Sequence, residues 1–338
     1  MADKSLIIID NEKISQKDNN FYCDNFESKV AECFYKDFDV TIIARKSKIY
    51  RARKINLKKI ETASNIFLFL ISIFKTFRKK NATYLIIAIN PYTFLSYLLL
   101  FLFRRKNFIY LRSDGHEEWK AIFGYIGPII YNIMFRIVTF RSNIITCQKR
   151  LFLKGKSEIV YPSEIDSFWL NNKKFPELDK ARLLYVGRIK VEKGTFSLLE
   201  IFEQIDADVQ LSICGRIENP NLKQKKVSFI GPKYDLDELI KVYDSHNIFI
   251  LPSFTEAHPK VIDESLARGR PIIIFEEISH IIQNRKGIFV SKRSAKSLLE
   301  TVEFIMKNYK DINKSILSNE LPTKENFVFQ MSKILRLN

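Results

Sequence analysis

Short apolar runs rich in Ile, Val and Leu alternate with longer segments of helical period along the chain. In the first half these runs predict six strands, at 5–10, 39–44, 83–89, 107–112, 143–147 and 158–161. The helical segments between them lie at 25–36, 60–77, 92–103 and 119–140, and Gly127-Pro128 predicts a break or kink in the last one. Apolar strands joined by helical connectors are typical of a parallel sheet covered on both faces.

The same alternation restarts after the polar stretch 171–180. It predicts strands at 182–186, 209–214, 227–230, 248–251 and 271–275, with helices at 195–204, 236–245, 260–268 and 295–308. We therefore expect two doubly wound α/β domains, an N-terminal one over 1–165 and a C-terminal one over 178–315. A C-terminal helix within 316–338 is expected to pack back toward the N-terminal domain. Ligands of such sheets bind at the carboxyl ends of strands.

Charge is distributed unevenly along this otherwise ordinary composition. The net charge is +17, and between Arg45 and Ser113 sixteen Lys or Arg residues accompany a single acid, Glu61. A field of one sign attracts an anionic partner, which leaves anionic lipid, a charged polymer or nucleic acid. A solvated basic face is the simpler explanation for any single run, but the asymmetry of the whole window favours a partner.

Two apolar stretches, 66–77 and 94–103, fall short of the roughly 20 residues that a membrane span needs. Each precedes a Lys/Arg cluster, so each helix either lies in the plane of an anionic membrane or packs on a sheet. The four cysteines have no metal-ligand spacing, and no signal peptide is visible. We therefore expect a cytoplasmic protein that is peripheral on the inner face of the cytoplasmic membrane.

Glycines and cations follow successive predicted strands of the second half. Gly187-Arg188 ends the first strand, and Lys193-Gly194 then opens a helix. Two cations at a helix N-terminus suit a diphosphate. Gly215-Arg216 and Gly231 follow the next two strands, at turns where the backbone can approach a ligand. Ordinary turn chemistry explains each of these turns taken alone.

The segment from Glu256 to Glu264 is the most informative one. Pro259 suits the first turn of a helix, and backbone N–H groups near Lys260 and Val261 are expected to point at an anion. The two glutamates lie eight positions apart, one in the loop and one on the helix. Carboxylates accept hydrogen bonds from sugar and ribose hydroxyls.

In this order, these elements resemble the donor domain of GT-B glycosyltransferases of family 4, also called group 1. The shared features are a Gly-Arg…Lys-Gly loop, a Gly turn, a Phe-x-Gly turn, a Pro-Ser strand end, a Glu-x7-Glu helix and a Gly-x-Pro turn. The resemblance is strong over about 182–310, and the ordered set is specific although each motif alone is not. It implies the GT-B fold, two doubly wound Rossmann-like domains facing across a cleft. The chain departs from the pattern at Ala257-His258 and at Asp10-Asn11-Glu12, which stands where a Gly-Gly loop is usual.

The resemblance also implies a nucleotide-diphosphate sugar as donor, UDP- or GDP-linked, and transfer with retention of configuration. It implies that Arg188 and Lys193 hold the diphosphate, that Glu256 acts on the donor sugar and that Glu264 binds the ribose. Family members need no divalent metal, so we expect no cofactor and no metal. The other predicted donor-binding residues are Gly215, Arg216, Gly231, Pro259, Lys260 and Val261.

In the first half, Asp114 and His116 follow a predicted strand, in a region that loosely resembles the His-Asp site of family members. His116 is a candidate general base or a hydrogen-bond partner of the sugar, although a lone histidine is more often structural. Arg112 is a weaker candidate. The segment 160–166 resembles an interdomain motif of the family, with Glu164 in place of the usual glycine.

The sequence therefore predicts a glycosyltransferase that moves a sugar to a glycan or lipid-linked acceptor. The product is expected in cell-surface polysaccharide, lipopolysaccharide or glycoconjugate synthesis, with an anionic membrane surface as a further partner. One alternative is a GT-B nucleotide-sugar epimerase, which needs no acceptor. The other is a basic protein that binds nucleic acid or membrane without catalysis. Nucleic acid is not expected as a partner, because no nucleic-acid-binding motif is recognised.

Overall fold

The structure is a computed structural model and describes residues 4–23, 31–51, 53–153, 155–216 and 226–337. The chain divides into two compact units. The N-terminal unit comprises 1–161 together with 325–338, and the C-terminal unit comprises 162–324. Residues 316–324, which the sequence analysis joined to the C-terminal helix, are part of the C-terminal unit.

The N-terminal unit is built on a parallel sheet whose strand order is β5-β3-β1-β6-β7-β8-β9. A short antiparallel ribbon of β2 and β4 extends from the distal half of β1. Its strands are β1 (Ser5–Lys17), β2 (Asn20–Cys23), β3 (Asp39–Lys46), β4 (Arg53–Ile55), β5 (Ile60–Ala63), β6 (Ala82–Ile87), β7 (Asn107–Leu111), β8 (Asn143–Thr146) and β9 (Ser157–Ile159).

Helices cover both faces of this sheet, because successive β1 residues point to opposite sides. Ile7 and Ile9 pack with α1 (Ile66–Lys75), α2 (Pro91–Leu102) and α4 (Ile126–Thr139). Leu6 and Ile8 pack with the segment 31–38 and with α11 (Lys324–Leu337). A further helix, α3 (Gly115–Phe123), precedes α4. Of the predicted helix 25–36, residues 25–30 lie outside the described residues.

The C-terminal unit has six parallel strands in the order β12-β11-β10-β13-β14-β15. This order places the first strand of the unit at the centre, where the direction of winding reverses, as in Rossmann-like folds. The strands are β10 (Ala181–Val186), β11 (Val209–Cys214), β12 (Val227–Phe229), β13 (Ile248–Leu251), β14 (Ile272–Phe275) and β15 (Ile288–Ser291). The helices are α5 (Ser167–Leu170), α6 (Thr195–Glu203), α7 (Leu236–Asp244), α8 (Lys260–Ala267), α9 (Ala295–Lys307) and α10 (Tyr309–Ile316).

The predicted fold class, two doubly wound α/β units, is confirmed, and the strand order of each unit adds detail that the sequence did not provide. The prediction of a helix from residue 60 was wrong, because Ile60–Ala63 is a strand that pairs with β3. Helix α1 begins only after Asn65, whose side chain accepts a hydrogen bond from Leu68 N–H. The short strands β2, β4 and β15 were not predicted.

The helical segment 119–140 breaks at Gly124 rather than at the predicted Gly127-Pro128 step. Pro128 falls in the first turn of α4, where its missing N–H removes no hydrogen bond from the helix. A Cβ at Gly127 would lie 2.0 Å from the carbonyl oxygen of Trp119. Gly127 therefore serves the close packing of α3 against α4 and does not interrupt a helix.

Two buried arginines attach the linker before β10 to the C-terminal unit. Asp244 at the end of α7 receives two hydrogen bonds from Arg268, at 2.9 and 2.8 Å, and one from Arg270 at 3.4 Å. Arg268 also donates to the carbonyl oxygens of residues 169, 171 and 172. Arg270 donates to that of Lys174. Both arginines are about 1% exposed, and they satisfy carbonyl groups of the linker backbone.

We predict that Asp244→Ala strongly destabilises the C-terminal unit, because it leaves two buried guanidinium groups without their carboxylate. The free energy of unfolding in urea should fall by about 3–5 kcal/mol. Glu238→Ala is the matched control, because the Glu238 side chain is 57% exposed and its pair with Lys233 spans 3.4 Å. Its cost should stay within about 1 kcal/mol. Equal losses in the two variants would contradict the role of Asp244.

Candidate functional site

The loop after β10 and the loop after β13 meet at the carboxyl edge of the C-terminal sheet. Gly194 has φ +64°, and a Cβ there would lie 1.9 Å from the carbonyl oxygen of Pro252. Phe254 N–H donates to the carbonyl of Glu192 at 3.1 Å. Only glycine fits this position, since both its backbone conformation and its contact exclude a side chain. The sequence analysis noted Gly194 as the residue that opens a helix, and the structure adds this contact between loops.

This contact brings together Lys193 and Glu256, two predicted site residues 63 positions apart. Lys193 Nζ lies 2.6 Å from Glu256 Oε1, and the hydroxyl of Ser253 donates to the same oxygen at 2.7 Å. The carboxylate is 11% exposed and the ammonium group 23%. The Nε2 atom of His280 lies 2.8 Å from the Glu256 carbonyl oxygen and fixes the backbone of the loop. A cation and a carboxylate are thus held side by side at a partly open surface.

The other predicted residues of the glycine turns lie along the same edge. Arg188 is exposed directly after β10, and the Tyr185 hydroxyl donates to its carbonyl oxygen at 2.8 Å. A Cβ at Gly215 would lie 2.0 Å from the Gly187 carbonyl oxygen, so the turns after β10 and β11 also touch. Arg216 is exposed, and the residues that follow it, 217–225, lie outside the described part of the chain. Gly231 has φ +68° with open space around it, so its backbone conformation is what requires glycine.

Helix α8 directs its N-terminus toward this edge of the sheet. Pro259 is the N-cap rather than the first helical residue, and the helix begins at Lys260. The N–H groups of a first helical turn have no acceptor within the helix, so they point outward from its end. Lys260 Nζ contacts Glu164 Oε1 at 2.8 Å, which attaches this helix end to the linker. Val261 packs partly buried against the core.

Glu264 lies one turn further along α8 and is 9% exposed. The buried Tyr243 hydroxyl donates to its Oε2 atom at 2.8 Å. Burial, with the neighbouring Glu264 carboxylate as the second cause, raises the pKa of Tyr243 well above its usual value, so the tyrosine stays a proton donor. The predicted ribose contact of Glu264 therefore involves a carboxylate that Tyr243 already orients.

A buried charged cluster behind the loop was missed in the sequence analysis. Asp263 Oδ2 lies 3.0 Å from His258 Nε2, and its Oδ1 accepts from Arg285 at 2.7 Å. The side chains of His258 and Asp263 are 3% and 2% exposed. The cluster ties the loop residue His258 to α8 and to the segment after β14. His258 was noted in the sequence as a departure from the family pattern, but its partners lie too far apart in the chain to reveal the contact.

Asp114 and His116 in the N-terminal unit have structural roles that the sequence did not show. Asp114 is the N-cap of α3, and its Oδ1 atom accepts from the N–H of His116 at 3.1 Å and of Glu117 at 3.4 Å. The His116 ring packs edge-on against Tyr131 and Phe135, at centroid distances of 4.7 and 5.4 Å. A catalytic role for either residue stays a prediction.

A second polar group lies in the middle of β1, just after its parallel pairing with β6 ends at Ile9, where the sequence has no Gly-Gly loop of the family type. The pairing of β1 with β3 shifts register between Ile9 and Lys13, so residues 10–12 have no paired residue on β3. Asp10 and Glu12 are each 8% exposed, and Asp10 accepts from the Glu12 N–H at 3.1 Å. Burial and the nearby Glu12 carboxylate raise the pKa of Asp10 to about 7, although Arg112 partly offsets them. Asp10, in the middle of β1, is thus a carboxyl group that exchanges a proton near neutral pH.

The geometry at the carboxyl edge of the C-terminal sheet suits an anionic ligand that also carries hydroxyl groups. Lys193, Arg188 and the N-terminus of α8 supply positive potential. Glu256 and Glu264 supply acceptors for hydroxyl groups. Among the described residues, no group of three or more His, Cys, Asp or Glu side chains could hold a metal ion.

Comparison with known proteins shows which proteins the C-terminal unit resembles in sequence. Residues 180–308 match the sequence model of the family described as glycosyl transferases group 1. A putative teichuronic acid biosynthesis glycosyltransferase, TuaC of Bacillus subtilis, is 28% identical over 130 residues, which cover 37% of this chain and 33% of TuaC. The N,N'-diacetylbacillosaminyl-diphospho-undecaprenol alpha-1,3-N-acetylgalactosaminyltransferase of Campylobacter jejuni is 27% identical over 48% of this chain and 45% of its own length. The chain thus spans a third to a half of these relatives.

Solved structures extend the likeness in fold to nearly the whole chain. HepE of Anabaena in complex with UDP is 12% identical, covers 98% of this chain and 99% of its own, and has a TM-score of 0.71. A putative UDP-N-acetylglucosamine 2-epimerase from Listeria monocytogenes is 12% identical, with coverages of 97% and 94% and a TM-score of 0.55. The predicted GT-B fold and the resemblance of the C-terminal unit to group 1 glycosyltransferases are confirmed. The fold by itself is shared by transferases and epimerases.

We predict that Asp10→Asn changes the pH dependence of stability. The pKa of Asp10 is raised from 3.8 to about 7 in the folded protein. The stability that protonation of Asp10 contributes is therefore fully present below about pH 4, and it is lost as pH rises through 7. Asparagine does not ionise, so its stability relative to the wild type should increase by up to about 4 kcal/mol between pH 4 and pH 8. Urea denaturation at several pH values measures this, with the exposed Asp18→Asn as the charge-matched control. Parallel pH profiles for Asp10→Asn and the wild type would contradict it.

Proposed function

We propose that this chain, whose C-terminal unit carries a group 1 glycosyl transferase domain, transfers a sugar from a nucleotide-diphosphate sugar to a hydroxyl group of an acceptor. The observation that carries the proposal is the contact of Lys193 with Glu256 at 2.6 Å. It joins two loops at the strand ends where doubly wound sheets bind their ligands. Both loops lie inside the region that matches the family.

The chemistry follows from the charges at this edge. The bond between the anomeric carbon and the diphosphate oxygen breaks, and negative charge accumulates on the diphosphate. We assign the stabilisation of that charge to Arg188, Lys193 and the N-terminus of α8, so the proposed reaction needs no metal. Glu256 accepts hydrogen bonds from hydroxyl groups of the donor sugar, and Glu264 accepts them from hydroxyl groups of the ribose. We propose a UDP- or GDP-sugar as donor and retention of the anomeric configuration, which is the family's mode of transfer.

The acceptor is proposed to be a glycan or a lipid-linked sugar of cell-surface polysaccharide synthesis. Two observations support this. One relative is named for teichuronic acid biosynthesis and another for transfer onto an undecaprenol-linked sugar. The window from Arg45 to Ser113 carries sixteen basic residues and one acid, so it favours an anionic membrane surface. No described helix is long and apolar enough to cross a bilayer, and we propose a peripheral, cytoplasmic location at its inner face.

We predict that Glu256→Gln lowers the turnover of sugar transfer by about 100-fold or more, because the neutral amide loses the ion pair with Lys193 and accepts weaker hydrogen bonds from the hydroxyl groups of the donor sugar. A screen of UDP-, GDP-, dTDP- and CMP-sugars by mass spectrometry, with extracted lipid-linked acceptors, identifies the substrate pair for the assay. Glu203→Gln, an exposed change on α6, is the control and should keep full turnover. Unchanged turnover in Glu256→Gln would remove Glu256 from the site.

The same screen separates the alternatives. Conversion of a donor to its isomer in the absence of any acceptor would favour an epimerase. Tight, salt-dependent RNA binding without affinity for any nucleotide sugar would favour a nucleic-acid-binding protein.

We further predict that the protein binds vesicles containing anionic lipid and that raising salt from 50 to 500 mM weakens this binding, because salt screens the attraction of the basic window. Sedimentation with vesicles at each salt concentration measures the bound fraction. Equal partitioning onto neutral and anionic vesicles at low salt would contradict the electrostatic contribution.

A further inference from the structure

Three helices over one face of the N-terminal sheet are apolar on both sides. Their inner sides pack on the sheet through buried residues such as Phe69 of α1, Leu100 of α2 and Met134 of α4. Their outer sides are also apolar but exposed. We call this exposed set, together with the end of α3 and the turn that follows it, the outer helix face, and it comprises Phe67, Leu68, Ile71, Phe74, Leu95, Leu98, Phe101, Leu102, Phe103, Ile122, Phe123, Tyr125, Ile126, Ile129, Ile130, Ile133, Ile137 and Phe140.

The outer helix face is continuous from helix to helix. The Phe74 ring of α1 lies 5.5 Å from that of Phe103, which follows α2. The Arg141 guanidinium after α4 lies 5.6 Å from the Phe101 ring of α2. More than half of the exposed large hydrophobic side chains of the described residues fall between 67 and 140. A helix that is apolar all round is normally covered on every side, so this face has the composition of a buried surface.

The turn between α3 and α4 is the most exposed part of this face. Tyr125 is 90% exposed, and the flanking Ile122, Phe123 and Ile126 are 56–68% exposed. From there Ile126, Ile129, Ile133 and Ile137 follow one another at helical spacing along the outside of α4. These side chains form a second apolar stripe, opposite the stripe of Tyr131, Met134 and Val138 that packs on the sheet.

Charge decides which partner fits the face. Between residues 62 and 157 the only acids are Asp114, Glu117 and Glu118. Exposed cations stand at the C-terminal ends of the three helices, among them Lys75, Arg78, Arg104, Arg136 and Arg141. A second copy packed on the same face would bring these cations together in a low-dielectric interface, which costs free energy. Anionic lipid provides both apolar chains and opposite charge.

We propose that the outer helix face inserts into the headgroup boundary of an anionic bilayer. The Tyr125 turn and the outer side of α4 enter furthest, and the cations at the helix ends contact lipid phosphates. The inference rests on the proposed function in one respect: a lipid-linked acceptor lies in the membrane, so contact with the bilayer brings the enzyme to its substrate. It goes beyond electrostatic attraction, because burial of apolar side chains resists salt.

The first test removes apolar side chains and keeps every charge. Tyr125→Ser/Ile129→Ser/Ile133→Ser should lower the partition coefficient onto vesicles of phosphatidylglycerol and phosphatidylcholine at 500 mM salt by about tenfold or more. The control is Phe329→Ser. Phe329 is 69% exposed on α11, which covers the opposite face of the same sheet, and its loss should leave partition unchanged. Wild-type partition of the triple variant at high salt would overturn the proposal.

The second test reports depth and does not depend on weakened binding. Tyr125→Trp places an indole at the tip of the face, and Phe329→Trp places one on the opposite side. The wild type, which contains Trp119 and Trp169, gives the background quenching that is subtracted from each reporter. Lipids brominated on the acyl chain should quench the first reporter and not the second. Equal quenching of both, or none of either, would overturn the proposed orientation.

Two further measurements identify the reason for a failure. Sedimentation velocity of the wild type and the triple variant without lipid detects self-association, and a dimer that the triple variant loses would assign the face to a second copy instead. Thermal stabilisation by UDP, measured on every variant, reports donor binding separately. A wild type that is stabilised by UDP but does not insert into anionic vesicles would overturn this inference and leave the proposed function standing.

Discussion

The close approach of Gly194 to the Pro252 carbonyl is the constraint on which the candidate site depends. A side chain at residue 194 would lie 1.9 Å from that oxygen, so the loops after β10 and β13 adjoin only because one residue has no Cβ. At this separation Lys193 reaches Glu256, and the Glu192 carbonyl receives the N–H of Phe254. The ion pair is therefore a consequence of backbone packing.

Helix α8 is held at both ends by the segment that leads into the C-terminal unit. Lys260 at its start pairs with Glu164. Arg268 at its end donates to the carbonyl oxygens of residues 169, 171 and 172. Asp244 compensates the charge of that arginine in a site where water is excluded. The direction of the helix, and with it the place where its positive end lies, thus follows from a linker that contains none of the site residues.

Helices cover both faces of the sheet in the N-terminal unit, and this unit still exposes an apolar surface. Helices α1, α2 and α4 bury one stripe each and expose another. The acids that would normally separate apolar side chains on a protein surface are missing from most of this region. The two partners that we propose therefore belong to different units, a nucleotide sugar at the carboxyl edge of the C-terminal sheet and lipid on the outer helix face of the N-terminal unit.

The sequence by itself determined the fold class and the order of the donor motifs, because alternation of apolar runs and the glycines at strand ends are local signals. The order of motifs also predicted that Lys193, Glu256 and Glu264 share one site, and the structure brings the first two into contact. Only the tertiary structure showed that Asp114 caps a helix, that His258 contacts Asp263 and that Arg268 and Arg270 share Asp244. It also decided that the helical segment breaks at Gly124 and that residues from Glu325 onward pack with the N-terminal unit. The physical reason is that these features depend on which side chains meet across strands and helices. A local pattern of polarity contains no information about which residues far apart in the chain come into contact.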